Sequence, residues 1–210
     1  MKKGKQELTT DEAKDLIDQA QKMGVSIIAF TGGEPLLRKD VFELIEHVDP
    51  KRAIPLLFTN GQYLTEENVR KLAKAGLYSA FVSIDSPFPE EHDKLRGMPG
   101  LFNAAMEGID RLKKYGLLVG FSSYATQTAT KKGMYKKIYK LAREKGLDNV
   151  MLFDGVPTGN LLKNTAELLL PEQRDEILDF SNQVFKRSII PPLSSQSWQN
   201  SIEGYLGGIG

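Results

Sequence analysis

Ile27-Ile28-Ala29-Phe30-Thr31-Gly32-Gly33-Glu34-Pro35 runs from an apolar strand-like stretch straight into a polar, glycine-rich turn. The same join recurs along the chain. Amphipathic, helix-like segments close on Lys22-Met23-Gly24, Lys74-Ala75-Gly76, Tyr115-Gly116 and Glu144-Lys145-Gly146, glycine being the residue that ends a helix at least cost. A strand-like run follows each one: Val25 to Phe30, Ser79 to Ile84, Leu117 to Tyr124 and Asn149 to Phe153. A further run, Ile54 to Thr59, follows Asp49-Pro50.

Helix starts are marked as well. Thr9 with Glu12 and Asp40 with Glu43 have the spacing of a capping box, Thr65 precedes Glu66-Glu67, and Pro171 suits a first turn. Ala13, Leu16, Ile17, Ala20 and Met23 form one apolar stripe at helical period; Phe102, Ala105, Met106, Ile109 and Leu112 form another. Strand and helix alternating at roughly thirty residues per unit predict a parallel α/β fold. A doubly wound sheet and a (β/α) barrel both satisfy the pattern, and both gather ligands at the C-terminal ends of their strands.

Ser26 to Phe30 is nearly all apolar, as in an interior strand covered on both faces. No strand precedes the first helix to pair with it, so a further strand is expected upstream. Pro191-Pro192 and the Ser/Gln-rich stretch to Ser201 read as a linker. The expected organisation is a core over residues 1–190, incomplete at its N-terminus, and a linker over 191–210.

Composition narrows the function. The 210 residues carry a net charge of +1, which gives no reason to invoke nucleic acid or an acidic membrane surface. No apolar run approaches the roughly 20 residues that span a bilayer, and the basic N-terminus lacks the apolar stretch of a signal peptide. A cytoplasmic protein is expected. With no cysteine, the sequence holds no disulfide, zinc-thiolate or thiolate-held iron–sulfur site. With two histidines, it is poorly supplied for nucleophilic triads.

At Gly32-Gly33-Glu34-Pro35 the paired glycines let a ligand approach the backbone, and Pro35 biases Glu34 toward an extended conformation. Oxygen acceptors with one carboxylate suit an amine; a plain strand-to-helix turn with a solvated glutamate is the alternative. Phe30-Thr31-Gly32-Gly33-Glu34-Pro35-Leu36-Leu37 resembles the signature of radical S-adenosylmethionine (radical SAM) enzymes. Phe58-Thr59-Asn60-Gly61, Val82-Ser83-Ile84-Asp85 and His92-Asp93-Lys94-Leu95-Arg96-Gly97 follow in the order and spacing those enzymes have. The resemblance runs from about Glu7 to about Gly159. The tail after the barrel resembles members with a SPASM-type extension.

The resemblance implies a partial (β/α)₆ TIM-like barrel lacking its first strand and cluster loop. It further implies a [4Fe-4S] cluster on three cysteines spaced C-x₃-C-x₂-C and one-electron cleavage of SAM. The resulting 5′-deoxyadenosyl radical would abstract hydrogen from a peptide or small-molecule substrate, with a flavodoxin or ferredoxin as electron donor. This chain has no cysteine to hold the cluster.

Carried onto this sequence, Gly32, Gly33 and Glu34 would meet the methionyl amine of SAM, with Asn60 at the next strand end unless Asn60-Gly61 is a simple turn. Ser83 and Asp85 share a face at a spacing of two and would bind ribose hydroxyls, although Asp85-Ser86-Pro87 is also a good turn starter. Arg96 would fork onto the SAM carboxylate or form a surface salt bridge. Ser122, sharing a face with Tyr124, and Pro157, with Gly159, complete the expected contacts. His47 and His92 read as solvated side chains, and the Lys131-Lys132 and Lys136-Lys137 pairs as a solvated face.

Two other classes compete. One is a non-catalytic SAM- or nucleotide-binding module without cluster cysteines. The other is a Schiff-base barrel aldolase, which needs an interior lysine; the strand ends Thr31, Thr59, Asp85, Tyr124 and Asp154 supply none.

Overall fold

A computed structural model describes residues 7–147, 149–155 and 165–184. Its strands are β1 (Ile27–Phe30), β2 (Ile54–Thr59), β3 (Ser79–Ser83), β4 (Leu118–Ala125) and β5 (Asn149–Asp154). Its helices are α1 (Thr10–Lys22), α2 (Val41–Glu46), α3 (Glu66–Lys74), α4 (Pro89–Arg96), α5 (Leu101–Lys114), α6 (Gln127–Lys131), α7 (Met134–Glu144) and α8 (Pro171–Val184).

The strands form one parallel sheet in the order β1-β2-β3-β4-β5. A doubly wound sheet reverses its order at a switch point. Strands that follow each other in sequence and in space, with helices between them, have the winding of a TIM-like barrel. The fold is therefore a partial barrel, which resolves the alternative left open by the sequence. β1 pairs with β2 from Ile27↔Ile54 to Phe30↔Leu57, and β4 with β5 from Gly120↔Asn149 to Ala125↔Asp154.

The chain divides into two compact units, Met1–Phe81 with Ala104–Leu118, and Val82–Asn103 with Val119–Gly210. In the first, Ile17 packs with Leu44, Val48 and Ala53, and Ala13, Ile28 and Phe30 lie against them. The Thr9–Glu12 capping box forms as expected: the Thr9 backbone N–H donates to Glu12 Oε2 at 2.8 Å, and the Glu12 N–H donates to Thr9 Oγ1 at 3.3 Å. Asp40 does not cap α2. Its carboxylate accepts from Thr10 Oγ1 at 2.6 Å and Arg38 Nη2 at 2.8 Å, and Arg38 holds its pKa below the ordinary carboxylate value.

The α5 stripe buries Ala105, Ile109 and Leu112 completely. Within it, a Cβ at Gly108 would stand 2.5 Å from Leu64 Cβ, so only glycine fits there. β1 has the apolar composition of an interior strand but lies at the edge of the described sheet, as expected where its upstream partner strand is lacking. It is the first strand in the sheet order, its residues alternate between exposed and half-buried, and Ile27 is 39% exposed.

In the second unit, Phe121, Val150 and Met151 are buried strand residues, and α7 contributes Tyr135, Ile138, Tyr139 and Ala142. Phe180 of α8 meets the Tyr135 and Tyr139 rings edge-on, and Tyr139 Oη donates to Ser181 Oγ at 2.8 Å. Lys136 pairs with Glu176 at 2.9 Å and Lys137 lies over the Phe88 ring, so this face is less free than the sequence implied. Pro157, Gly159 and residues 191–210 lie outside the described residues.

Candidate functional site

In the first unit, the loop after β1 is held by one side chain. Glu34 Oε1 accepts from the Leu36 N–H at 3.2 Å and from Thr59 Oγ1 at 2.8 Å; Oε2 accepts from the Asn60 N–H at 2.8 Å. The parallel register explains the meeting. Phe30 stands opposite Leu57, so two residues on, the loop after β1 comes level with Thr59.

The three donors are neutral, and among the described residues Glu34 has no ion-pair partner. A carboxylate offers about four acceptor positions, so one on Oε2 stays open. Gly32 adopts φ +149°, and neither Gly32 nor Gly33 has any atom within 4 Å of where a Cβ would be. Both glycines are exposed and Glu34 is half-buried. The loop thus presents accessible backbone beside an uncompensated negative charge.

Asn60 contributes its backbone N–H to Glu34, and its Oδ1 accepts from the Gln62 N–H at 2.8 Å. The side chain therefore forms the turn that was one of its two expected roles. Thr59, absent from the predicted contacts, is 1% exposed and bonded to Glu34. A hydroxyl at the end of a strand parallel to the motif strand was the signal available in the sequence.

The second unit carries the other predicted residues. Ser83 and Ser122 face one another, Oγ to Oγ, at 3.2 Å. Tyr124 is exposed and its ring lies 6.0 Å from that of Phe153. Arg96 Nε lies 2.6 Å from Asp85 Oδ2, off the line needed for a hydrogen bond, which makes the contact an ion pair. Asp85 Oδ1 is buried without a partner.

His92 overturns its expected solvation. It is fully buried, its Nδ1 accepts from the Asp85 N–H at 3.2 Å, and its ring meets Phe102 edge-on. Burial pushes its pKa down, with Asp85 opposing and Arg96 reinforcing the shift. The accepted bond fixes the neutral tautomer with hydrogen on Nε2, an atom left buried and unpartnered. Asp93 accepts from the Phe102 N–H at 2.8 Å and so holds the start of α5. His92-Asp93-Lys94-Leu95-Arg96-Gly97 therefore orders the chain after β3 through three separate side chains. His47 is also partnered, its Nε2 lying 3.0 Å from Asp18 Oδ1.

The donor set does not fit an iron–sulfur cluster. Thiolates hold such clusters; the chain contains no cysteine, and among the described residues no group of three His, Cys, Asp or Glu could hold a metal ion. The expectation that this chain reductively cleaves SAM at a [4Fe-4S] cluster is thereby overturned, and with it the iron–sulfur and metal-binding assignments. Among the described residues no helix is long and apolar enough to cross a membrane.

Comparison with known proteins agrees with the fold. The sequence profile of the Radical SAM superfamily matches residues 1–126. The AdoMet-dependent heme synthase of Oleidesulfovibrio alaskensis is 37% identical over 174 residues, 83% of this chain and 44% of that protein. The AdoMet-dependent heme synthase of Methanosarcina barkeri is 38% identical over 186 residues, 88% of this chain and 52% of that protein. This chain thus spans about half the length of these relatives. The structure of native anSMEcpe with bound AdoMet and Cp18Cys peptide superposes with a TM-score of 0.66 at 20% identity, covering 96% of this chain and 59% of that one. With the superfamily profile spanning more than half its residues and a parallel barrel winding beneath the motif loops, the chain belongs to the radical SAM superfamily.

Proposed function

We propose that this chain is a SAM- or nucleotide-binding barrel module without cluster thiolates. One observation carries the reading: the half-buried Glu34 carboxylate has three neutral donors, no matching cation among the described residues, and two open glycines beside it. A ligand ammonium would neutralise that charge and fill the open acceptor position, a charge-assisted contact of the stronger kind. The α-amino group of SAM has the required chemistry, with the Gly32 and Gly33 backbones alongside.

In the second unit, taken by itself, the Ser83–Ser122 hydroxyl pair and the unpartnered Asp85 Oδ1 suit nucleoside hydroxyls. Arg96 cancels the charge of Asp85, which favours a neutral donor there over a cation. Pro157 is retained as an adenine contact on resemblance. Residues 1–190 are read as the binding core and 191–210 as a linker. The partner is a peptide or small molecule, and the names of the two relatives put a heme precursor first. A flavodoxin or ferredoxin donor acts only where a cluster is held, and it is not part of this reading.

Titration calorimetry with SAM tests the proposal. Saturable binding is expected, weakened at least about tenfold by Gly33→Val, whose side chain would occupy the open space beside Glu34 and keep the ligand ammonium from its charge-assisted contact. Absence of binding to the wild-type chain sinks it. Reconstitution with iron and sulfide should give no thiolate-to-iron absorption; a brown product with that band would overturn the exclusion of cluster chemistry.

A further inference from the structure

Thr59 sits beneath the candidate amine site and is almost completely buried. Its Oγ1 accepts from the Gly61 N–H at 3.1 Å and lies 2.8 Å from Glu34 Oε1. The direction of both bonds is fixed by chemistry. An amide N–H only donates and an ionised carboxylate only accepts, so the single hydroxyl proton must point to Glu34. The result is a one-way chain, Gly61 N–H to Thr59 Oγ1, then Thr59 O–H to Glu34 Oε1.

That chain decides which part of Glu34 is left for a ligand. Oε1 has both acceptor positions filled, by Thr59 and the Leu36 N–H, and Oε2 has one filled by the Asn60 N–H. With Oε1 saturated and the plane of the carboxylate fixed at two strand ends, a single acceptor direction remains. We infer that Thr59 is a positioning residue that makes this loop selective for an ammonium-bearing ligand. It does so by locking Glu34 in the orientation that exposes Oε2.

The inference rests on the reading of Glu34 as the amine acceptor. Without the hydroxyl, Oε1 loses a donor, and the carboxylate can rotate to accept water. The charge is still present, but it is no longer aimed. Selectivity should then fall further than affinity for the nucleoside portion.

The experiment compares SAM with its deamino analogue, which differs only by hydrogen in place of the α-ammonium, by titration calorimetry on the full chain. The wild type should prefer SAM by about tenfold or more, the size of one charge-assisted bond. Thr59→Val should reduce that preference to within about threefold while binding of the deamino analogue changes little, and Thr59→Ser should restore it. A wild type that does not discriminate would remove the Glu34 reading itself. A wild type that discriminates while Thr59→Val discriminates equally would overturn the role of Thr59 and leave the Glu34 reading standing.

Should Thr59→Val fail to fold, the wild type provides the test through its amide resonances. SAM, unlike the deamino analogue, should shift both the Asn60 and Gly61 N–H signals, because neutralising Glu34 repolarises both chains of bonds. A shift at Asn60 with none at Gly61 would show that Thr59 does not transmit the contact, and would overturn the inference.

Discussion

Glu34 in the first unit and Asp85 in the second are both carboxylates that follow a strand, and their surroundings give them opposite characters. Glu34 is held by two backbone N–H groups and a hydroxyl, all neutral, so its full negative charge is retained. Asp85 faces the Arg96 guanidinium at 2.6 Å and keeps one oxygen buried and unpartnered. The first suits a cation and the second a neutral hydroxyl. An amine for Glu34 and ribose hydroxyls for Asp85 were also the partners expected from the sequence. Their neighbours decide what each can bind.

The largest expected effect comes from Glu34→Gln. An amide cannot accept from Leu36, Thr59 and Asn60 together, because its nitrogen would face a donor. SAM affinity should fall about tenfold or more, and unfolding free energy by about 1–3 kcal/mol; calorimetry and denaturant melts measure the two. Asp85→Asn should cost about 1–3 kcal/mol of stability through the uncompensated Arg96, between the exposed and fully buried limits. If Asp85→Asn melts like the wild type, Arg96 does not depend on Asp85 and the contrast between the two carboxylates is wrong.

A pair of glycines sharpens the same point. Gly108→Ala forces a Cβ into Leu64 and should destabilise by about 1–3 kcal/mol despite the better helix propensity of alanine. Gly33→Ala meets no atom within 4 Å and should leave the melting temperature within a degree or two of wild type, on the order of the ±0.5 kcal/mol of neutral surface changes. Equal destabilisation by both would mean that the diglycine loop is a packing feature, with no open surface for a ligand.

The smallest effect is a pH dependence confined to the second unit. Burial lowers the pKa of His92 from its ordinary value of about 6.5. The unfolded chain therefore binds this proton more readily than the folded one. The stability associated with neutral His92 is fully present above about pH 6.5 and is lost as pH falls through the lowered folded value. Thermal melts below pH 6.5 should show this decline for the wild type, and His92→Gln should flatten it. An unchanged slope in that variant would mean that other groups, Asp93 among them, set the decline.

Much of the fold was legible in the sequence because it depends on local pattern. The Thr9–Glu12 cap, the α5 stripe and the strands β2 to β5 follow from spacing within one element. The misreadings concern side-chain pairings that reach outside a single element. Asp40 has capping spacing, yet Arg38 and Thr10 claim its carboxylate. His92 lies in a charged segment, yet the return of α5 brings Phe102 against it and buries it. The candidate site was legible as a set of residue types, whereas the Thr59–Glu34 bond that orients it spans 25 positions and has no local signature. The expected cluster failed on the chain's own composition, since the motif loops persist without a single thiolate.

The most direct test of the account is a SAM titration of the wild-type chain and Gly33→Val side by side, with melts confirming that both are folded. The account predicts saturable binding to the wild type, at least about tenfold weaker binding to the variant, and matching melting curves. Equal affinity in the two proteins, or no binding to the wild type, would contradict it.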